Sequence, residues 1–256
     1  MKYTDLVFDL YGTLVDIHTE EDEGVWEKTA LYFGFYGAHF SPSELASAFQ
    51  KAMADRQAEA GQSYECFPDI PFQQVFAQLF RAKGVEEAET LAINAAQLFR
   101  IASIDYIRLY PGVKQALAQL RRAGFRLWLL SNAQQVFTAY ELRHLELEDC
   151  FDGILLSSDY GCRKPDSRFY RALIEKYSLE PSRCLMIGND RETDIAGGAE
   201  AGMDTLYLHT RLTPWHQPAA DPGLHPDRAG RDAHRYEYEE EENWSWLELA
   251  RHIEAL

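Results

Sequence analysis

Four short apolar runs in this chain each lead into polar residues, and this recurrence is the feature that most restricts its fold. In an open parallel sheet the carboxyl ends of the strands gather along one crevice, so polar residues that follow such strands are expected to converge into one site. A carboxylate at the mouth of a buried strand, beside a glycine turn and a hydroxyl, is a candidate nucleophile. The runs span residues 6–8, 127–130, 153–156 and 184–187, and they lead into Asp9, Ser131-Asn132, Arg163-Lys164-Pro165 and Gly188-Asn189-Asp190.

Helical segments alternate with these runs. Pro111 stands at a predicted helix start, apolar residues follow it at helical spacing, and Gly124 ends the helix just before the next apolar run. A second helix is predicted to open near Ser167 and a third at about Asp194. Strands that alternate with helices indicate an α/β fold, with a three-layer, Rossmann-like core and a mostly parallel sheet.

The pattern changes between Asp16 and about Tyr106, where strand-like runs disappear and helical spacing recurs, for example in Leu45, Phe49 and Met53. We therefore predict a helical cap domain over residues 16–106, inserted into an α/β core formed by residues 1–15 and 107–256. Because the insertion leaves the core just after Asp9, the cap is expected to stand at the mouth of the site. Within the core we predict a loop over residues 213–233, followed by a strand and a helix in residues 234–256.

The charge balance excludes some classes of partner. The 256 residues include 25 Lys and Arg against 41 Asp and Glu, which gives a formal net charge of −16. Binding to nucleic acid or to an anionic membrane depends on basic patches, so we expect neither as a partner. The four cysteines are scattered, which predicts neither a disulfide framework nor a zinc site and favours a cytoplasmic location.

Taken together and in order, the polar segments resemble the four motifs of the haloacid dehalogenase-like (HAD) hydrolase superfamily. The resemblance covers the core and, through the position of the helical insertion, the cap as well. Each motif is weak alone, but all four occur in order and each follows a predicted strand. The matching residues are Asp9-x-x-Gly12-Thr13, Ser131-Asn132, Lys164-Pro165 and Gly188-x-Asp190-x-x-x-Asp194.

This resemblance implies a hydrolase that acts on a small phosphorylated substrate through a covalent aspartyl-phosphate. Asp9 would attack phosphorus in line, and water would then hydrolyse the intermediate. Thr13 would fix the loop that carries the nucleophile. Ser131 and the backbone N–H of Asn132 would hold the phosphoryl oxygens, while Lys164 would neutralise charge on both the nucleophile and the transferring group.

The resemblance also implies a Mg²⁺ cofactor. Asp190 would complete a metal-binding site with the Asp9 carboxylate and the backbone carbonyl of Tyr11, and Asp194 would orient metal-bound water. A partly hydrated site of oxygen ligands with few carboxylates suits Mg²⁺. Without a cation, the three aspartates would place three negative charges around one small site, which is costly where the dielectric constant is low.

Tyr11 departs from the phosphatase pattern. Two residues after the nucleophile, phosphatases of this superfamily carry a second aspartate, the general acid that protonates the leaving alkoxide and later activates water. Tyr11 would take its place, and a phenol is a weaker acid than a carboxylic acid. We therefore expect aryl phosphates, acyl phosphates and phosphoanhydrides to be favoured over sugar and alcohol phosphates. An acid from the cap linker, Glu20 or Glu21, is an alternative source of the proton.

Three functions stay open, with the Mg²⁺-dependent phosphatase favoured. The first motif closely resembles that of 2-haloacid dehalogenases, which need no metal. Those enzymes carry Ser and Asn in place of the acids at Asp190 and Asp194, and Gln50 falls roughly where they have a halide-binding arginine. The third function is a weakly catalytic protein that binds a phosphorylated ligand or has a regulatory role. The physiological substrate and the choice between monomer and dimer also stay open.

Overall fold

The computed structural model describes residues 2–60, 67–213, 235–238 and 245–256. In these ranges the strands are β1 Asp5–Phe8, β2 Val15–Thr19, β3 Ile104–Leu109, β4 Arg126–Ser131, β5 Gly153–Leu156, β6 Cys184–Gly188, β7 Asp204–Leu208 and β8 Arg235–Tyr238. The helices are α1 Glu23–Phe35, α2 Pro42–Glu59, α3 Phe72–Ala82, α4 Ala88–Ser103, α5 Val113–Arg122, α6 Gln135–His144, α7 Ser167–Tyr177, α8 Gly197–Glu200 and α9 Trp246–Ala255.

Six of these strands form one sheet in the order β5-β4-β1-β6-β7-β8, and every pair in it is parallel. Every residue of β1, β6 and β7 is buried. Strands buried on both faces are typically near-continuous apolar runs, which explains why these strands could be predicted from the sequence. The predicted mostly parallel sheet is confirmed.

Helices cover the sheet on both sides and produce three layers. Successive residues of a strand point to opposite faces, so Leu6 and Phe8 of β1 pack with residues of α5 and α9, such as Leu117 and Trp246. Val7 lies on the other face and packs in a cluster with Phe169 and its neighbours on α7. The predicted three-layer, Rossmann-like α/β core is therefore confirmed.

Two helical segments differ from the prediction. The segment expected to begin as a helix near Asp194 is a π-helical turn over Arg191–Ala196, which runs into the short helix α8. Helix α6 was not predicted from the sequence. It buries Thr138 and Glu141, and these polar residues interrupt the apolar spacing that would have revealed it.

An antiparallel ribbon joins the inserted segment to the rest of the chain. The sequence predicted only helices between residues 16 and 106, but β2 pairs with β3 in a register that sets Val15 opposite Leu109. The pairing partners are far apart along the chain, so local periodicity does not indicate them. Both ends of the inserted segment leave the core through this ribbon.

Helices α1 to α4 form a bundle with its own hydrophobic cluster, in which the rings of Phe33 and Phe80 stack with centroids 3.8 Å apart. Val136 and Phe137 of α6 belong to the same cluster. The bundle is therefore packed directly against α6. The division of the chain into a cap of residues 16–106 and a core of residues 1–15 and 107–256 stays a proposal.

Two further expectations concern parts of the chain outside the described ranges. The loop predicted over residues 213–233 lies outside them except for Thr213, whereas the predicted C-terminal strand and helix correspond to β8 and α9. Among the helices that are described, none is long and apolar enough to cross a membrane.

Candidate active site

Asp9 follows β1 directly and is held by the backbone on one side and by Thr13 on the other. Its N–H donates to the carbonyl of Ile187 at 3.0 Å, and Thr13 Oγ1 donates to Asp9 Oδ2 at 3.0 Å. Between them, Gly12 has a φ of 81°, and a Cβ there would lie 2.4 Å from Asn189 Nδ2. Only glycine fits this turn, because the position combines a left-handed conformation with a close neighbour.

Lys164 joins two of the predicted site aspartates. Its Nζ donates to Asp9 Oδ1 at 2.8 Å and to Asp194 Oδ1 at 2.6 Å, and the lysine side chain is only 1% exposed. Burial opposes the charged form, but the carboxylates of Asp194 and Asp9 outweigh it, so the pKa of Lys164 is raised. The structure therefore buries a charged ammonium against the candidate nucleophile.

Asp194 lies at the other end of this buried ion cluster. Burial raises the pKa of Asp194 above its usual range, and Asp9 acts in the same direction, while Lys164 opposes both. Its Oδ2 accepts the N–H of Asp190 at 3.1 Å. A Cβ on Gly188 would lie 2.2 Å from that same Oδ2. The end of β6 must be glycine for Asp194 to reach Lys164.

The residues after β4 divide into two roles. The Oγ of Ser131 is buried and has no hydrogen-bond partner among the described residues. A buried hydroxyl without a partner is costly, and a ligand oxygen would satisfy it. The Asn132 side chain instead accepts the N–H of Lys164 at 2.7 Å and donates to its carbonyl at 3.0 Å. Asn132 therefore fixes the loop that carries the lysine.

The two residues that follow β6, Asn189 and Asp190, contact different parts of the site. Asp190 Oδ1 accepts the backbone N–H groups of Glu192 and Thr193 at 2.8 and 2.9 Å, so it caps the π-helical turn. The residue that contacts the nucleophile loop is Asn189, whose Oδ1 lies 3.2 Å from Thr13 Oγ1. The role of Asn189 was not predicted from the sequence, although its position directly after the strand end at Gly188 was a usable signal.

Whether these residues suit a metal ion depends on the oxygens that they offer. No group of three or more His, Cys, Asp or Glu side chains that could hold a metal ion occurs in the described ranges. Mg²⁺ needs fewer, because it usually binds one or two carboxylates and keeps several waters. Both backbone N–H groups that bond to the Asp190 carboxylate in the described part of the chain bond to Oδ1, which leaves Oδ2 for a cation. Three carboxylates and one ammonium also leave two formal negative charges, so the donor set fits a divalent cation.

Tyr11 belongs to a largely buried hydrogen-bond network that was not predicted from the sequence. Its hydroxyl donates to Glu141 of α6 and lies 3.0 Å from Thr138 Oγ1. Arg100 of α4 donates to Glu141 Oε1 at 2.6 Å and lies over the Tyr11 ring. Burial and the Glu141 carboxylate raise the pKa of Tyr11 far above its usual value. The phenol of Tyr11 therefore stays protonated, and its hydroxyl is hydrogen-bonded to α6.

Comparisons with known proteins identify the family of this chain. A family model described as haloacid dehalogenase-like hydrolase matches residues 6–202. The glyceraldehyde 3-phosphate phosphatase of Methanothermobacter thermautotrophicus is 24% identical over 196 residues, 72% of this chain and 87% of the relative. The N-acylneuraminate-9-phosphatase of Rattus norvegicus is 25% identical over 204 residues, 79% of this chain and 81% of the relative.

Among solved structures, the 2-haloacid dehalogenase from Pseudomonas syringae pv. Tomato DC3000 superposes with a TM-score of 0.58 at 19% identity, over 85% of this chain and 91% of that one. At that identity the likeness concerns the fold alone. The family model, in contrast, spans more than half of the chain and includes all four predicted motifs. This chain belongs to the haloacid dehalogenase-like hydrolase family.

Proposed function

We propose that this chain is a Mg²⁺-dependent phosphatase that hydrolyses a small phosphate ester through an aspartyl-phosphate on Asp9. The observation that carries the proposal is the buried contact of Lys164 with both Asp9 and Asp194. An ammonium beside the nucleophile offsets the repulsion between a carboxylate and an anionic phosphoryl group. The relatives named as phosphatases support the same reaction class.

The reaction would proceed in two displacements at phosphorus. In the first, an oxygen of Asp9 bonds to phosphorus and the bond to the leaving oxygen breaks. In the second, water attacks the phosphorus of the aspartyl-phosphate, which releases inorganic phosphate and restores the carboxylate. Thr13 would hold Asp9 Oδ2 in position, since its hydroxyl already donates to that atom.

The phosphoryl oxygens would be held by groups at the end of β4 and on the loop that carries Lys164. The Oγ of Ser131, which has no hydrogen-bond partner among the described residues, and the N–H of Asn132 would donate to them. Lys164 would balance their charge. A Mg²⁺ ion would be held by Asp9, the Tyr11 carbonyl and Asp190, with Asp194 orienting its water. When bound, such an ion supplies positive charge to the transferring phosphoryl group.

The leaving oxygen needs a proton, and Tyr11 is poorly suited to supply it. Its hydroxyl is bound by Glu141 and its pKa is raised by burial. We therefore propose that substrates with acidic leaving groups, such as aryl and acyl phosphates, are turned over faster than sugar phosphates.

The first test is turnover of 4-nitrophenyl phosphate with Mg²⁺ and with excess chelator. We expect activity only with the metal, and we expect Asp9→Asn to lower it on the order of 10³-fold or more, because an amide is a far poorer nucleophile. Asp105→Asn serves as the control, since Asp105 is exposed on the β2–β3 ribbon. Asp9→Asn activity within tenfold of the wild type would reject Asp9 as the nucleophile.

The second candidate function is 2-haloacid dehalogenation. One observation favours it: Tyr11 stands where phosphatases carry an acid, and its hydroxyl is occupied by Glu141. Such an enzyme would attack carbon and release halide without a metal. Halide release from 2-chloropropionate in excess chelator would replace the phosphatase proposal. If neither reaction occurs but inorganic phosphate binds, the chain acts as a phospho-ligand-binding protein.

A further inference from the structure

A stretch of the inserted segment packs against the loop that leads into Lys164. Residues 67–71, which we call the cap strap, lie between α2 and α3 and run antiparallel to residues 161–166. Asp69 N donates to the carbonyl of Gly161 at 3.2 Å, and Arg163 N donates to the carbonyl of Phe67 at 2.9 Å. Pro68 forms a β-bridge with Cys162. The strap is therefore attached to the loop that leads into Lys164.

The carboxylate of Asp69 connects this strap to the other loop of the site. One oxygen accepts the hydroxyl of Ser157, and the other accepts Gln134 Nε2 at 2.8 Å. Ser157 Oγ in turn accepts the N–H of Ala133 at 2.8 Å. A short chain of hydrogen bonds thus runs from Asp69 to the backbone two residues after Ser131.

A carboxylate suits this position better than an amide. It accepts hydrogen bonds only, and it meets two donors, the Ser157 hydroxyl and the Gln134 amide. Burial raises the pKa of Asp69, which Ser157, Arg163 and Gln134 counteract. An asparagine would turn its NH₂ group toward one of the donors, so one of the two hydrogen bonds would be lost or rearranged.

We propose that Asp69 is a positioning residue for phosphate binding, acting through Ser157 and Gln134 on the loop that begins at Ser131 and Asn132. Because Asp69 belongs to the inserted segment, the phosphate-binding loop takes its binding geometry only while the strap is docked. This inference rests on the proposed phosphatase function, and it adds a residue outside the four motifs.

The test measures competitive inhibition of 4-nitrophenyl phosphate turnover by inorganic phosphate, together with kcat and KM. For Asp69→Ala we expect the inhibition constant of inorganic phosphate to rise about tenfold, because hydrogen bonds to a charged acceptor are lost. KM should rise by a similar factor. Asp69→Asn should show a smaller change, about threefold, because it keeps one acceptor. Asp55→Asn, at an exposed site on α2, is the matched control and should equal the wild type.

A double-mutant cycle separates positioning from a general loss of stability. If Asp69 acts through Ser157, then Ser157→Ala weakens phosphate inhibition similarly, and the double variant is no worse than the stronger single variant. Phosphate inhibition of Asp69→Asn within 1.5-fold of the wild type, or additive effects in the cycle, would overturn the inference. Wild-type protein that turns over no aryl phosphate with Mg²⁺ would instead overturn the proposed function.

Discussion

Replacement of Glu141 by glutamine tests the hydrogen-bond network in which Glu141 binds both Tyr11 and Arg100. Glu141 accepts from Arg100 Nε at 2.6 Å, and the side chains of Arg100 and Glu141 are only 15% and 10% exposed. Glutamine keeps the shape of the side chain and removes its charge. The guanidinium of Arg100 would then stay largely buried without a counter-charge, at the contact between α4 and α6.

We expect this substitution to lower the free energy of unfolding by about 3 kcal/mol, near the low end for breaking one side of a buried ion pair. The low end applies because Arg100 keeps its contacts over the rings of Tyr11 and Phe137. In a chain of this size, 1 kcal/mol shifts Tm by about 2–4 °C, so thermal unfolding followed by circular dichroism should show a loss of about 6–12 °C.

The matched control is Asp55→Asn, which breaks the exposed pair of Asp55 with Lys51, whose side chains are 55% and 75% exposed. Its Tm should change by no more than about 1 °C, because exposed pairs contribute little. Arg100→Met combined with Glu141→Gln removes both charges and should recover most of the lost stability. A Tm for Glu141→Gln that matches the control, or a double variant less stable than either single, would refute the reasoning.

Three further predictions concern single positions. Tyr11→Phe should keep turnover of aryl phosphates within about tenfold, because the half-buried phenol is bound to Glu141 and is not proposed as the proton donor. Tyr11→Asp should flatten the dependence of rate on leaving-group pKa. A flat wild-type series would show that another acid already acts. Burial would raise the pKa of Asp16, but hydrogen bonds from Arg108 and Arg211 outweigh it and hold that pKa below its usual range. The stability that Asp16 adds should therefore be present at pH 6. It should be lost as the pH drops below about 4, the pKa of an aspartate in the unfolded chain. Urea unfolding of wild type and Asp16→Asn at both pH values checks this, and a difference that does not shrink with acid would contradict it. Gly188→Ala should lower turnover on the order of 10²-fold, because the added Cβ displaces Asp194; activity equal to the wild type would show that Asp194 need not stay where it is.

The elements that were predicted correctly are those whose pattern of apolar residues lies within the element itself. The strands β1, β4, β5, β6 and β7 are apolar runs, and α7 begins at the predicted Ser167, where Asp166 caps it. Prediction failed where the decisive partner is distant. The ribbon forms only when Val15 pairs with Leu109. Helix α6 lacks a clear apolar spacing because the polar Thr138 is one of its buried residues.

The sequence by itself determined which side chains gather at one edge of the sheet, because the carboxyl ends of parallel strands share that edge. Asp9, Lys164 and Asp194 were all foreseen there. Only the tertiary structure decided how the side chains are paired. Tyr11 meets Glu141 across 130 positions of the chain, and Asp190 uses an oxygen to cap a turn. Such pairings follow from the packing of whole helices against the sheet, which brings together residues that no motif spacing relates.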